Sequence, residues 1–178
     1  MIRRLRKISG RMAREDDGNS TIEFLFIFPV YISFMIMSVE LGIITMRHTM
    51  IERGMDIAVR ELRLGTGTAP QHDEIKDIIC ENALVVFNCQ DNLKLEMSPA
   101  DLYAFNTLDT SVDCTDQAEP AKPVRTFTPG QQNELMMLRA CYKYNPLFPE
   151  SVLGSALDVD SSGQAAIISM TAFVQEPI

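Results

Sequence analysis

The apolar residues of this chain form one long uninterrupted run near the N-terminus, followed by shorter and more patterned stretches. From Phe24 to Met46, 23 residues contain a single charged side chain, Glu40. About 20 apolar residues suffice to cross the hydrocarbon core of a bilayer. The run opens with apolar side chains on every face of a helix, whereas a surface helix of a soluble domain keeps one polar face. The pattern therefore predicts one membrane-spanning helix.

Two residues inside this run are unusual for a membrane helix. Pro29 removes the hydrogen bond that its nitrogen would have donated to the carbonyl of Leu25. It either kinks the helix for packing against other helices or is simply tolerated. Glu40 lies about 25 Å beyond Phe24 at about 1.5 Å per residue, close to the outer interface. We expect its carboxylate to reach water there, in preference to forming a buried ion pair.

After this run, the spacing of the apolar residues becomes amphipathic. Between Met50 and Leu62, apolar residues recur at helical spacing on one side and charged residues occupy the other. Gly65 and Gly67 then predict the end of the helix. We therefore expect one long helix that lies in lipid over its first half. Its second half should pack against a small domain along one face, with methionines contributing to the core.

The remainder of the chain, about 110 residues, is long enough for one modest core. A helix is predicted over residues 71–82, with isoleucines on one side. Alternation over 93–98, a mostly apolar run over 135–144 and a segment rich in β-formers over 165–174 predict three strands. Residues 84–87 are ambiguous between a helix end and a short strand. We expect the strands to pair antiparallel against the long helix, which is an α+β fold.

A long connection separates the first two predicted strands. Residues 107–133 contain three prolines and many Thr, Asp and Gln residues, a composition that predicts an exposed loop. Because long loops often carry function, this one either touches a partner or is a tolerated insertion.

Charge is divided unevenly along the chain. Residues 1–18 carry six basic and three acidic side chains, a net charge of +3, so the total of −8 leaves −11 for the remaining residues. Basic flanks of a membrane helix stay in the cytoplasm, which places the acidic remainder outside. That remainder is unsuited to a nucleic-acid partner, because phosphates are neutralised by clustered Lys and Arg.

Four cysteines, Cys80, Cys89, Cys114 and Cys141, all follow the membrane run. An even number in an oxidising compartment predicts disulfides, and four cysteines allow three pairings. We expect Cys80 to pair with Cys89, tying the domain helix to the first strand. We expect Cys114 to pair with Cys141, pinning the long loop to the second strand. A zinc site is not expected, because neither a Cys-x-x-Cys spacing nor a neighbouring histidine completes one.

The remaining polar residues predict no catalytic, cofactor-binding or metal site. The stretch from Asp158 to Gly163 resembles the start of a calcium loop, but the twelfth position, where an EF-hand needs an acidic residue, is Ser169. A turn before the last strand is the favoured interpretation. His48 and His72 stand far apart, and neither has the pattern of a nucleophile around it.

The boundary between the basic N-terminus and the apolar run carries the most specific signal. Gly18 stands at this boundary, and Glu23 follows five residues later, where the hydrocarbon begins. A carboxylate in the middle of a membrane helix costs roughly 2.5 to 3.5 kcal/mol, and less near an interface. The carboxylate of Glu23 therefore needs either a partner that compensates its charge or a function that requires it.

This combination resembles the processing site of type IV prepilins, and most closely that of the TadE-like pseudopilins of the Tad (Flp) pilus system. The shared features are a basic leader, Gly18, four residues, Glu23, and a membrane helix with the early Pro29. The resemblance implies that a prepilin peptidase cuts between Gly18 and Asn19 and leaves Glu23 as the fifth residue of the mature chain. Phe24 departs from the tyrosine that often follows the glutamate in the major Flp pilin. That departure, together with the length of this chain, favours a pseudopilin or minor pilin.

On this basis the chain divides into a leader over 1–18, a transmembrane and amphipathic helix over 19–64, and a periplasmic domain over 65–178. The partners that the resemblance implies are the prepilin peptidase, other Tad pilins packed through the N-terminal helix, and inner-membrane lipid, with no cofactor. The chain would cross the inner membrane once with its N-terminus in the cytoplasm, and it would either stay there or enter a pilus.

Cleavage after Gly18 has a clear chemical rationale. Glycine lets an extended segment enter a protease cleft with little steric cost. The cut creates an ammonium at Asn19, one helical turn from Glu23, that can compensate the carboxylate within one chain or between neighbours. The alternative from a different class is a single-span periplasmic binding or sensor module that keeps its leader. An enzyme is not expected.

Overall fold

The computed structural model describes residues 20–64, 71–100, 112, 114–115, 127–128 and 130–176. Its elements follow in the order α1 Ser20–Leu64, α2 His72–Asn82, α3 Cys89–Asn92, β1 Leu93–Pro99, β2 Leu135–Tyr144 and β3 Ala165–Val174, with a 3-10 turn at Gly154–Ala156 before β3. The predicted bounds of β2 and β3 are confirmed. Helix α2 begins one residue later than predicted, because Gln71 is its N-cap residue.

Helix α1 is continuous over 45 residues, which confirms the long helix predicted from the apolar run and the amphipathic stretch after it. Pro29 lies inside it. The core-facing residues of its second half are Ile51, Met55, Ala58 and Leu62, all of them buried. Their spacing of four, three and four residues places them on one face of a helix. The helix therefore joins an exposed apolar half to a half that forms part of the domain core.

The three strands form one antiparallel sheet in the order β1-β2-β3. Its register places Ala140 of β2 opposite Leu95 of β1 and Ser169 of β3. Because side chains alternate between the two faces of a strand, every second residue points toward α1. These residues form the core with the buried face of α1, namely Leu93, Leu95, Met97, Met136, Leu138, Ala140, Tyr142, Tyr144, Ala165, Ile167 and Phe173. This arrangement confirms the α+β class and is pilin-like.

Helix α2 packs against α1 at a glycine. A methyl group added to Gly54 would lie 2.7 Å from the carbonyl oxygen of Ile79, so only glycine allows the two helices to come this close. Ile75 and Ile79 are buried in the core. The start of α2 is held by the backbone N–H of Gln71, which donates to the Glu74 carboxylate at 2.9 Å. This side-chain contact supplies the reciprocal bond of a capping box.

Two disulfides link the elements of the domain. Cys80 pairs with Cys89 with their Cα atoms 5.6 Å apart, and Cys114 pairs with Cys141 with their Cα atoms 5.3 Å apart. These are the two pairs that we expected from the sequence. The first bridge spans the turn between α2 and α3, and the second ties the long connection to β2.

The connection between β1 and β2 is attached to the sheet at a further point. Phe127 forms an isolated parallel bridge with Met97, and the Thr128 N–H donates to the Met97 carbonyl at 3.0 Å. The Phe127 and His72 rings are nearly perpendicular, with their centroids 5.5 Å apart. The predicted exposed loop over 107–133 is therefore held against the domain at Cys114 and Phe127. Most of its other residues lie outside the described part of the chain.

The structure resolves the ambiguity over residues 84–87. They form turns, so neither the helix end nor the short strand is correct. The following α3 is a single helical turn that the sequence did not predict, and it begins after Asn88 in the left-handed conformation with φ 50°. A helix of four residues is too short to show a helical period, which explains the omission.

The stretch that resembles a calcium loop is a turn, as the sequence favoured. The Asp160 carboxylate accepts hydrogen bonds from the N–H groups of Ser162 and Gln164 and from the Ser162 hydroxyl, and Gly163 supplies a φ of +78°. Lys143 of β2 donates to its other oxygen. Burial disfavours the charge on Asp160, but these hydrogen bonds, that of Lys143 first, hold the pKa of the carboxyl well below its ordinary value. The turn is thereby fastened to β2.

Candidate functional site: the apolar helix and its junction with the domain

None of the residues in the first half of α1 is buried, and only Ile32, Ile36 and Met37 are half-buried. We term residues 20–39 the bare segment. This end of the helix is long and apolar enough to cross a membrane, and none of it is buried. Its exposed large apolar residues are Ile22, Phe24, Leu25, Phe26, Ile27, Phe28, Val30, Tyr31, Phe34, Met35 and Val39. At about 1.5 Å per residue these 20 residues extend about 30 Å, the thickness of a bilayer core.

Two serine hydroxyls within this apolar helix are satisfied by its own backbone. The hydroxyl of Ser33 donates to the Pro29 carbonyl at 2.8 Å, and that of Ser38 donates to the Met35 carbonyl at the same distance. In lipid a polar group must find its partner inside the protein. These hydroxyls therefore need no water, and they are compatible with a helix that crosses a membrane.

The domain first meets the helix at Glu40. This side chain is 1% exposed. Its Oε1 accepts the backbone N–H of Leu147 at 3.0 Å, and its Oε2 accepts that of Phe148 at 2.9 Å. The expectation that Glu40 reaches water is therefore wrong, and the described residues show no ion pair in its place. Two backbone donors satisfy the carboxylate, since hydrogen bonds to a charged acceptor are stronger than neutral ones.

An arginine and two tyrosines extend the contact beyond Glu40. The Arg47 guanidinium lies over the Tyr144 ring, 5.1 Å from its centroid, a geometry of cation–π attraction. The Tyr142 ring stacks near Tyr144 at 6.4 Å, and its hydroxyl donates to the Phe87 carbonyl at 2.8 Å. Burial raises the pKa of Tyr144, and the Glu40 carboxylate raises it further against the opposing charge of Arg47. Tyr144 is therefore neutral at physiological pH.

We term the contact of Glu40 and Arg47 with β2 and residues 147–148 the junction. It begins six residues before Met46, the predicted end of the membrane run. On either side of this contact, Leu41 and Met46 remain exposed. The apolar helix and the domain therefore overlap along the chain, with one face of α1 covered and the other apolar and open.

The residues of the predicted processing site lie at the edge of the described chain. Gly18 and Asn19 are outside it. Glu23 stands in the first turn of α1 and is exposed. The positive end of a helix dipole favours a carboxylate at this position. Phe24, which follows it, stacks on Phe28 with ring centroids 4.8 Å apart.

The polar clusters of the domain have structural roles. Among the described residues, no group of three or more His, Cys, Asp and Glu side chains is placed to hold a metal. The His72 ring accepts the backbone N–H of Leu95 at 3.3 Å and so links α2 to β1. His48 lies 3.7 Å from the Glu52 carboxylate on the exposed side of α1.

Comparison of the chain with protein-family models, with curated proteins and with solved structures finds no match. Its own geometry supports a coarser description. A helix of membrane length at the N-terminal side and two disulfides in the domain indicate a membrane-anchored protein whose domain lies outside the cytoplasm.

Proposed function

We propose that this chain is a TadE-like pseudopilin or minor pilin, cut after Gly18 by prepilin peptidase, that acts in the assembly of a Tad (Flp) pilus. The observation that carries the proposal is the bare segment, an apolar helix of about 30 Å that projects from a small domain. Lipid can cover such a helix before assembly, and the helices of other pilins can cover it afterwards.

The sequence at the start of the helix favours assembly over simple anchoring. A membrane anchor needs apolar residues and flanking charge, but it needs neither a glycine at the boundary nor an acidic residue five positions later. Glu23 is exposed in the first turn of α1, so its carboxylate is open to a neighbouring chain as well as to its own N-terminus. Cleavage after Gly18 would create the ammonium that pairs with it, one helical turn away.

Intact mass measurement in peptidase-competent cells tests the proposed cleavage. The wild-type chain should lose residues 1–18 and begin at Asn19, and Gly18→Ala should remain full length. Gly10→Ala is the matched control, because it changes the other glycine of the leader and should leave cleavage intact. A wild-type chain that retains its leader would instead favour the membrane-anchored binding or sensor module.

A further inference from the structure

The segment that follows β2 is apolar, exposed and placed against the membrane-length helix. This 147–153 segment runs from Leu147 to Leu153. Leu147 is 52% exposed and Val152 is 70% exposed, while Phe148 and Leu153 are half-buried. Glu150 is the only charged residue of the segment. Exposed apolar side chains grouped in this way mark a surface that another apolar phase covers.

The junction sets the height of this segment along the helix. Glu40 binds the N–H groups of Leu147 and Phe148 directly. Its neighbours on α1, Val39 and Leu41, are both exposed apolar residues. Glu40 lies about 25 Å beyond Glu23 at about 1.5 Å per residue. The apolar run begins just after Glu23, which places that residue at the inner edge of the bilayer core. Because the core is about 30 Å thick, the segment lies near its outer edge.

Several backbone groups of the segment are hydrogen-bonded within the protein, which lowers the cost of placing it in an apolar phase. Besides the two N–H groups bound by Glu40, the Ser151 N–H donates to the Phe148 carbonyl at 3.0 Å and the Gly154 N–H donates to the Ser151 hydroxyl at 2.9 Å. Pro149 has no N–H to satisfy. A side chain on Gly154 would collide with the Phe148 carbonyl, so the segment is folded tightly on itself.

We propose that the 147–153 segment rests in the outer leaflet of the membrane that α1 crosses, with Leu147 and Val152 among the headgroups and upper acyl chains. Glu40 sets its depth, because the carboxylate holds the segment at one level of the helix. The charge of Glu150 favours a zwitterionic lipid surface over an anionic one. This inference rests on the membrane anchoring of α1, and it requires neither cleavage after Gly18 nor pilus assembly.

Tryptophan fluorescence tests this placement cleanly, because the natural chain contains no Trp. The full-length chain is reconstituted in phosphatidylcholine vesicles with or without bromine on the acyl chains near the headgroup. The test variants are Val152→Trp and Leu147→Trp. Val39→Trp reports on the bare segment. Val174→Trp is the matched control, since Val174 is exposed and adjoins Gln175, whose side chain donates to the Leu62 carbonyl far along α1 from Glu40.

Bromine should quench the tryptophans at 147 and 152 about threefold more than the one at 174, as expected for side chains that enter the headgroup and acyl boundary. Peptide mapping of the two disulfides checks that each variant is folded. Quenching at 39 without quenching at 147 and 152 would overturn the inference while leaving the anchor in place. An unquenched tryptophan at 39 would show that α1 does not lie in the bilayer, and it would overturn the inference together with its premise. A blue-shifted but unquenched tryptophan at 152 would indicate a protein covering and would also overturn it.

Discussion

The two halves of α1 have similar numbers of apolar residues but different surroundings. In residues 20–39 most apolar side chains are exposed, and they lie on all faces of the helix, whereas from Ile51 onward one apolar face is buried in the domain core. A helix with one apolar face can be covered by its own domain, and a helix that is apolar all round needs a medium or several neighbours. The bare segment is therefore suited to an environment outside its own chain, while the second half of α1 belongs to the domain.

Removal of Glu23, the single acidic residue of the bare segment, should have the strongest consequence. Glu23→Ala should still be inserted and cut, but the loss of its carboxylate should abolish assembly with other pilins, because the new ammonium at Asn19 would have no counter-charge. Glu61→Ala is the control, since Glu61 is exposed in the other half of α1. Electron microscopy of surface pili, scored beside immunoblots of the cleaved subunit, measures both steps. Normal piliation in Glu23→Ala would remove this role.

The next prediction compares the same substitution in the two halves. Ile51 is fully buried and Ile27 is exposed. Ile51→Ala should lower the free energy of unfolding of the domain by about 2 to 5 kcal/mol, through lost burial and the cavity left behind. Ile27→Ala should change it by no more than about 0.5 kcal/mol. Denaturant unfolding in detergent micelles measures both variants. Equal destabilisation would mean that the bare segment belongs to the domain core after all.

A smaller effect is expected at the junction, where the two halves meet. Glu40→Ala leaves the N–H groups of Leu147 and Phe148 without their acceptor, which should cost about 1 to 3 kcal/mol of domain stability. Glu61→Ala again serves as the exposed control on the same helix. The same unfolding measurement applies. If Glu40→Ala were as stable as the control, the two hydrogen bonds of Glu40 would not stabilise the domain.

The smallest expected effect is the response of the domain to acid. The folded-state pKa of Asp160 is lowered, so its stabilisation is fully present above its ordinary pKa of about 4 and is lost as the pH falls through the lower folded value. Asp160→Asn should therefore flatten the loss of domain stability below about pH 4. Asp158→Asn, two residues away and exposed, is the matched control. Identical pH profiles for the two variants would contradict the role of the Asp160 turn.

Elements with a strong period could be predicted from the sequence. The bounds of β2 and β3 followed from their composition, and the buried face of α1 followed from the spacing of Ile51, Met55, Ala58 and Leu62. The single turn α3 could not be predicted in this way. Four residues carry no measurable helical period, and the left-handed Asn88 that precedes it leaves no distinctive pattern.

The junction could not be predicted because its partners are distant in the sequence. The donors that satisfy Glu40 lie 107 and 108 positions away, and they are backbone groups that every residue except proline carries. Nothing in the composition of residues 147–148 marks them as partners of a carboxylate. The site of Gly18 and Glu23 is different, because its residues lie within one short stretch and can be recognised there.

The connection between Gln175 and the Leu62 carbonyl, 113 positions apart, has a consequence for biogenesis. The chain leaves the ribosome from its N-terminus, so the core face of α1 is made long before β3, the last element that packs on it. During export both halves of the helix are consequently uncovered. The second half of α1 is no longer exposed once β3 has been made and has paired with β2. Quality control at the membrane must therefore tolerate one apolar surface that the domain itself covers late and another that the domain never covers.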